Sequence, residues 1–191
     1  MSYTDKVIRY FSKPGPQNTE ATLEIAKERA KELGIKDVVV ASTYGDTAFK
    51  AIEVFKDMGV NLVVVTISMG FEDEGWIMKP EVREELTRMG AKVLTCTHAL
   101  GDDVDDAFAG KYGGISHKRV VADTLRRFCQ GMKVCVEITL MAADAGLIDV
   151  NRDVIAIAGT DRGADTAVVI RPSYTRKFLS LRIKEIIAKP L

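Results

Sequence analysis

Small hydroxyl residues and a glycine follow an apolar run within Val38–Ala48, which reads Val-Val-Val-Ala-Ser-Thr-Tyr-Gly-Asp-Thr-Ala. The apolar part is short and β-branched without alternation, which is typical of a strand buried on both faces in a parallel sheet. A helix is predicted to follow, and the unpaired N–H groups and dipole at a helix N-terminus favour an anion. Ser42, Thr43 and Thr47 place hydroxyls there, and Gly45 permits a sharp turn. The segment therefore predicts a phosphate site, with an ordinary strand-to-helix turn as the alternative.

Two charged residues bear on this predicted phosphate site. Arg162, within Gly159–Thr166, is a candidate for a second contact because guanidinium groups pair with phosphate oxygens. Its alternative role is that of a solvated turn residue. Asp46 repels a dianion unless it accepts a hydrogen bond from a sugar or ribityl hydroxyl, or caps the helix. In the alternative of an ordinary strand-to-helix turn, Asp46 or Thr47 is the cap. Hydroxyls combined with Asp46 suit a phosphorylated polyol.

Helix, glycine and strand alternate along the chain. Helices are predicted to begin at Asn18 or Thr19 and at Pro80, and to end at Gly34, Gly59 and Gly90. Strands are predicted at Val7–Phe11, Val38–Ala41, Leu62–Ile67, Lys92–Thr97, Asp153–Gly159, Thr166–Ile170 and Ile183–Ala188. This alternation is typical of βαβ units and a mainly parallel sheet.

The pattern lapses in the middle of the chain. Thr97–Ser116 is predicted to be a loop with about one helical turn. Ser116 is predicted to cap a helix that runs through Cys129, and a second helix is predicted over Val134–Ala145. The β-branched start of that second helix leaves a strand open as an alternative.

Four predicted strands end in small hydroxyl residues or glycine. These ends are Ser42–Thr43, Thr66–Gly70, Thr95–His98 and Gly159–Thr160. Ligands of open α/β sheets bind outside the carboxyl ends of the strands, near the point where strand order reverses. The four ends together predict one shared polar pocket.

Other residues offer chemistry with plainer alternatives. His98 could exchange protons, or it could bond a loop carbonyl. Glu137 and Asp144 share a face of the predicted helix. They could act as an acid and base pair, or they could form a polar stripe. Trp76 could close over a flat ligand or anchor packing. Asp102–Asp106 lacks the spacing of a calcium loop and is interpreted as a solvated acidic turn.

Composition narrows the class of protein. Apolar residues make up 47%, and 27 Lys and Arg balance 27 Asp and Glu, so a field that holds nucleic acid is not expected. Neither a membrane span nor a signal peptide is expected, so the cytoplasm is the predicted compartment. Cys96, Cys129 and Cys135 are predicted to be reduced and buried. Residues 1–191 are predicted to form one domain. The apolar helix from Val134 leaves a homo-oligomer open.

Four strings identify a resemblance. Lys13–Thr19, Val39–Ala48, Val134–Gly146 and Arg162–Pro172 resemble the small, stand-alone relatives of the pyruvate kinase C-terminal domain, found largely in archaea. The resemblance spans nearly the whole chain. It implies a three-layer α/β/α sandwich, with a mixed sheet of about five main strands and an antiparallel edge. Members of this group are associated with flavin mononucleotide (FMN), and their activity is unassigned.

The kinase domain also indicates what to expect of two loops. Loops similar to Ser42–Thr47 and Gly159–Thr166 hold an allosteric sugar bisphosphate in the kinase, but a basic residue there replaces Asp46, so the same ligand is not expected here. Pyruvate kinase catalysis is not expected either, because these 191 residues contain no counterpart of the kinase barrel.

The resemblance and the residues together predict an FMN site. Phosphate is expected on Ser42, Thr43, Gly45 and Thr47, and the ribityl hydroxyls near Asp46 and Thr160. Arg162 and Gly163 complete the rim, and the ring lies across Thr66 and Thr97. The full predicted set is Ser42, Thr43, Tyr44, Gly45, Asp46, Thr47, Thr66, Thr97, Gly159, Thr160, Arg162 and Gly163. The alternatives are a regulatory or carrier module without catalysis and, third, a hydrolase or lyase that uses His98 with Glu137.

Overall fold

The computed structural model describes residues 3–191, so the first two residues of the predicted domain lie outside it. Its strands are β1 (Arg9–Phe11), β2 (Asp37–Ala41), β3 (Asn61–Val65), β4 (Lys92–Leu94), β5 (Val154–Ala158), β6 (Thr166–Arg171) and β7 (Arg182–Pro190). Its α-helices are α1 (Thr19–Leu33), α2 (Asp46–Phe55), α3 (Pro80–Arg88), α4 (Val104–Tyr112), α5 (His117–Arg126) and α6 (Gln130–Asp144).

The strands form one mixed sheet in the order β1-β7-β6-β5-β2-β3-β4. Strands β5, β2, β3 and β4 pair in parallel, as do β1 and β7. Strand β6 is antiparallel to both of its neighbours, β5 and β7. The antiparallel strand therefore lies inside the sheet, whereas the sequence resemblance placed it at an edge. Five strands have five or more residues, as expected, and β1 and β4 have three each.

The central strands are apolar because both faces of the sheet are covered. Val38 and Val40 of β2 lie in one hydrophobic cluster, together with side chains of α1, α2 and α3. Val39 lies in a second cluster, together with side chains of α5 and α6. Successive strand residues point to opposite faces, so an unbroken valine run serves both clusters. The expected three-layer α/β/α sandwich with a mixed, mainly parallel sheet is confirmed.

Several predicted helix boundaries are confirmed. Helix α1 ends directly before Gly34, and α3 begins at Pro80. Ser116 caps α5, because its hydroxyl accepts a hydrogen bond from the Arg119 N–H at 3.2 Å. The cap of α2 differs from the alternative drawn from sequence, since it is Gly45 rather than Asp46 or Thr47.

The prediction of a loop over Thr97–Ser116 is wrong, because this segment contains the nine-residue helix α4. Asp103 is its cap, and the Asp103 carboxylate accepts from the N–H groups of Asp105 and Asp106 at 3.1 and 3.4 Å. Acidic residues in a first helical turn also interact favourably with the helix dipole. The acidic run therefore starts a helix.

The two predicted helices after Ser116 have different bounds in the structure. Helix α5 ends at Arg126 rather than Cys129, and Cys129 has extended backbone angles that separate it from α6. Helix α6 begins at Gln130, four residues before the predicted start, and the alternative of a strand at Val134 is wrong. Its residues between Gly131 and Ala143 are nearly all buried, so tertiary packing overrides the β-branched preference.

The first and fourth strands are shorter than predicted. Strand β1 begins at Arg9 rather than Val7, and β4 ends at Leu94 rather than Thr97. Both are edge strands, so each has only one partner to extend it. Among residues 3–191, no helix is both long and apolar enough to cross a membrane.

Candidate functional site

A cavity of about 460 Å³ lies at the carboxyl ends of β2, β3 and β5. From β2 the sheet continues in one direction to β3 and β4 and in the other direction to β5, so strand order reverses here. This is the position at which open α/β sheets bind ligands. The volume lies within the range of about 300–1,000 Å³ that is typical of small-molecule sites. We call it the main cavity.

Four parts of the chain surround the main cavity. They are the β2–α2 loop, the residues after β3, the β5–β6 loop and one face of α6, and His98 and Asp102 complete the wall. Helix α2 packs on one face of the sheet and α6 on the other. The cavity is therefore bounded by two helices that lie on opposite faces of the sheet.

The sharp turn of the β2–α2 loop depends on Gly45. Its φ is +102°, which is unfavourable for other residues, and a Cβ at this position would overlap Val82 of α3. Phe49 and Leu86 lie within 4 Å of the same position. The loop is thus packed tightly against α3, and this packing positions the start of α2.

Five consecutive backbone N–H groups in this loop have no hydrogen-bond acceptor among residues 3–191. They belong to Thr43–Thr47, which we call the amide loop. Ser42 lies just before it, and its hydroxyl accepts from the Ala48 N–H at 3.2 Å. Four of the five residues line the main cavity, and Gly45 is the exception. The arrangement leaves unpaired donors and the positive end of the α2 dipole at one end of the cavity.

The β5–β6 loop is held by a buried carboxylate. Asp165 is fully buried, and its Oδ2 accepts from the backbone N–H groups of Gly15 and Thr160 at 3.0 and 3.2 Å. Its Oδ1 accepts from the Thr166 hydroxyl at 2.7 Å. These three bonds tie the loop to the segment before α1, so Thr160 has a fixed position in the cavity wall.

Arg162 and Asp46 form an ion pair between the two loops. The Arg162 Nε and Nη2 atoms lie 2.8 and 2.7 Å from Asp46 Oδ2. The guanidinium also lies 5.3 Å from the centre of the Tyr44 ring, within the range of a cation–π interaction. Hydrogen bonding to Asp46, and then its charge, raises the pKa of Arg162 above the usual value.

Helix α6 brings a buried ion pair to the opposite side of the cavity. Lys133 Nζ lies 2.5 Å from Glu137 Oε2, and the two side chains are only 8% and 6% exposed. Glu137 Oε1 accepts from the Leu100 N–H at 3.0 Å. The apolar residues Val134, Ile138 and Met141 line the wall beside this pair.

Lys133 was missed at the level of sequence. Its signal is a Lys and Glu pair four residues apart within an otherwise apolar helix, an arrangement that places both on one helix face. Glu137 was considered with Asp144 instead. The structure separates those two: Asp144 accepts from the Thr175 N–H and hydroxyl and lies outside the main cavity.

His98 lies in the cavity wall and is held by neighbours. Its Nδ1 lies 3.0 Å from Asp102 Oδ2, and this hydrogen bond lowers the pKa of Asp102. The His98 ring stacks on Phe71 at 5.8 Å, and Phe71 stacks on Trp76 at 5.9 Å. Trp76 thus takes part in a row of stacked rings that reaches the cavity wall.

The structure brings ten of the twelve predicted site residues together in the wall of the main cavity. They are Ser42, Thr43, Tyr44, Asp46, Thr47, Thr66, Gly159, Thr160, Arg162 and Gly163. Gly45 and Thr97 are not among its lining residues. Thr97, which lies beyond the end of β4, lines a smaller cavity of about 290 Å³ with Cys96 and Asp144. Burial, and then the charge of Asp144, raises the pKa of Cys96.

The described residues contain no cluster of three or more His, Cys, Asp or Glu side chains with the geometry of a metal site. The chemical character of the main cavity differs from one side to the other. Free amides lie on the α2 side, apolar side chains line the α6 wall, and a buried cation lies beside them. Such a cavity can hold a molecule that carries an anionic end and an apolar body.

Comparison with known protein families agrees with the fold. A profile of the family described as "Pyruvate kinase, alpha/beta domain" matches residues 20–170. Among solved structures, a pyruvate kinase from Cryptosporidium parvum is 17% identical with a TM-score of 0.38, over 73% of this chain and 20% of that one. The Cryptosporidium parvum pyruvate kinase in complex with ADP is 17% identical with a TM-score of 0.41, over 90% of this chain and 24% of that one.

The chain spans at most about a quarter of the length of these two kinases. The profile match covers more than half of the present sequence. The chain therefore belongs to the pyruvate kinase alpha/beta domain family.

Proposed function

We propose that the main cavity binds a small phosphorylated molecule, with its phosphate against the amide loop. One observation carries the proposal: the five N–H groups of Thr43–Thr47 have no acceptor in the described chain, and they lie at the N-terminus of α2 beside a cavity. Backbone amides at a helix N-terminus are a recurrent phosphate site. The Thr43 and Thr47 hydroxyls also make no hydrogen bond among residues 3–191, so both remain free to donate.

We propose FMN as the occupant. The apolar wall of Val134, Ile138 and Met141 suits a flat ring, and Asp46 and Thr160 lie where ribityl hydroxyls would find polar partners. These features fit the group that the sequence resemblance implies. A bound flavin would supply redox chemistry, while the protein would orient it and adjust its electronics.

A carrier or regulatory module is the second candidate. The charged side chains in the cavity wall are largely engaged with one another, as in the pairs Lys133–Glu137, Arg162–Asp46 and His98–Asp102. Charged groups that are already paired are less available for proton transfer, and this favours a binding role over catalysis. Reduction of the bound flavin by a nicotinamide cofactor supports an enzyme, and a flavin that never turns over supports a carrier.

The test compares FMN with riboflavin, which lacks the phosphate. A ligand at a hundred times its dissociation constant stabilises the fold by about 2.7 kcal/mol, or about 5–10 °C in melting temperature at this size. We expect FMN to give this shift and riboflavin to give much less. Equal shifts would remove the phosphate site from the proposal.

A variant localises the effect. Thr47→Glu places a carboxylate beside the amide loop and is expected to abolish the advantage of FMN over riboflavin. Thr87→Glu is the matched control, because Thr87 is exposed on α3 and does not line the cavity.

We also propose the cytoplasm as the compartment, which the three free cysteines support.

A further inference from the structure

Lys133 is a buried cation in the cavity wall with unused hydrogen-bonding capacity. A lysine ammonium has three donors. One is used by Glu137 Oε2 at 2.5 Å, and no other residue of the described chain accepts from Lys133. The side chain is only 8% exposed, so bulk water reaches it poorly. Two donors of a buried charge therefore lie beside the main cavity without a protein partner.

The ion pair alone does not account for Lys133. A buried ion pair loses the hydration of both charges, so it is weak evidence of a stabilising role. Both carboxylate oxygens of Glu137 have hydrogen-bond donors, because Oε1 accepts from the Leu100 N–H and Oε2 accepts from Lys133 Nζ. In the cavity wall Lys133 has apolar neighbours such as Val134 and Ile138, and its charge also acts on Asp102 without a hydrogen bond between the two. Unpaired donors in such surroundings are unfavourable unless a bound group accepts from them.

We propose that Lys133 binds a second group of the ligand, an acceptor oxygen or nitrogen remote from the phosphate. This inference rests on the proposed function and specifies its substrate class. The amide loop belongs to the α2 side of the sheet and Lys133 to the α6 side, so a ligand that reaches both spans the end of the sheet. The cavity thus selects molecules with phosphate at one end and a polar, acceptor-bearing ring at the other.

For FMN, this arrangement assigns the ring to α6. The ring is apolar on its faces and carries carbonyl oxygens and ring nitrogens on its edge. The faces fit Ile138 and Met141, and an edge acceptor receives a hydrogen bond from Lys133. Phenyl phosphate carries a phosphate and an apolar ring without such an acceptor, so it is a suitable control probe.

The experiment compares two variants that differ only at position 133. Glu137→Gln keeps the Lys133 ammonium and preserves an acceptor for Leu100. The double variant Lys133→Met with Glu137→Gln removes the ammonium without leaving a buried carboxylate unpaired. The affinity of each variant and of the wild type is measured by calorimetry for FMN and for phenyl phosphate.

We expect the double variant to bind FMN at least about tenfold more weakly than Glu137→Gln, as for loss of a charge-assisted hydrogen bond. Phenyl phosphate is expected to bind both variants equally. Equal FMN affinities overturn the role of Lys133 and leave the phosphate site intact. Equal losses for both probes indicate a general disturbance of the cavity and also overturn it. Failure of both probes to bind the wild type overturns the proposed function together with this inference.

A measurement on the wild type avoids any folding defect of the variants. With ¹³C-labelled lysine, the resonance of the carbon next to Lys133 Nζ is expected to shift on addition of FMN and to stay in place with phenyl phosphate. If FMN binds and this resonance does not shift, the proposal is contradicted.

Discussion

Arg162 Nε donates a hydrogen bond to Asp46 Oδ2 at 2.8 Å, Arg162 Nη2 lies 2.7 Å from the same oxygen, and this ion pair joins the loop after β5 to the start of α2. The sequence suggested Arg162 as a partner for phosphate and Asp46 as a source of repulsion. In the structure the two charges compensate each other at the mouth of the main cavity. If a phosphate binds as proposed, we expect it to compete with Asp46 for the same guanidinium.

We therefore predict that Asp46→Asn tightens FMN binding severalfold. The substitution removes a carboxylate near the phosphate and releases Arg162 to contact it. Calorimetry with FMN measures the effect, and Asp57→Asn is the control for a change in net charge, since Asp57 is exposed and lies outside the cavity. Unchanged or weaker binding by Asp46→Asn would contradict the prediction.

A second prediction concerns Gly45 and the stability of the amide loop. Gly45→Ala forces a side chain into an unfavourable backbone conformation and against Val82. Gly59→Ala is the matched control, because Gly59 has a φ of +57° with open space around it. We expect about 1 kcal/mol of destabilisation at Gly59 and at least about 1 kcal/mol more at Gly45, measured by urea denaturation. Equal losses would mean that the contact with α3 does not constrain the loop.

A third prediction concerns the buried pair on α6. Lys133→Met alone leaves the Glu137 carboxylate buried without its counterion, and such changes cost about 3–5 kcal/mol. The double variant with Glu137→Gln is expected to recover most of this loss, because no buried charge remains. Chemical denaturation of the two proteins checks the difference. If both lose the same stability, the packing of the Lys133 chain matters and its charge does not.

A fourth prediction concerns Asp103, the cap of α4, and pH. The hydrogen bond from Lys118, followed by those from the backbone N–H groups of Asp106 and Asp105, lowers the pKa of Asp103 in the folded protein. A lowered pKa stabilises the fold above the unfolded value near 3.9, and this contribution is lost as the pH falls through the folded pKa.

The stability advantage of the wild type over Asp103→Asn should therefore be present at neutral pH and decrease progressively as the pH falls below about 3.9. Asp103→Ala, which also removes the cap acceptor, is expected to cost about 0.5–2 kcal/mol at neutral pH. Urea denaturation between pH 3 and 7 measures both. A difference between wild type and Asp103→Asn that does not change with pH would exclude a charged Asp103 as its source.

Much of the fold could be predicted from local chemistry. Pro80, Gly34 and Ser116 mark helix ends because their conformational or capping preferences act within a few residues. Helix α4 was missed because none of its residues is buried, so no apolar stripe faces a core. The internal position of β6 depends on which strands pair, and local sequence does not contain that information.

The sequence predicted those parts of the candidate site that are formed by residues at the ends of strands. Ser42, Thr66 and Thr160 meet in one cavity because the carboxyl ends of parallel strands meet at one edge of a sheet. Thr97 does not join them: it lines the smaller cavity with Cys96, whereas the next residue, His98, lines the main cavity. Lys133 was missed because its burial depends on α6 packing against one face of the sheet beside the cavity, which is a tertiary feature.

The most direct test of the proposed phosphate site is a titration of ¹⁵N-labelled protein with inorganic phosphate, followed residue by residue in backbone amide spectra. We predict saturable shifts concentrated at the amides of Thr43–Thr47, with little change in the amides of the distant turn at Gly59. Amides of Thr43–Thr47 that stay in place while phosphate or FMN binds elsewhere would contradict the account.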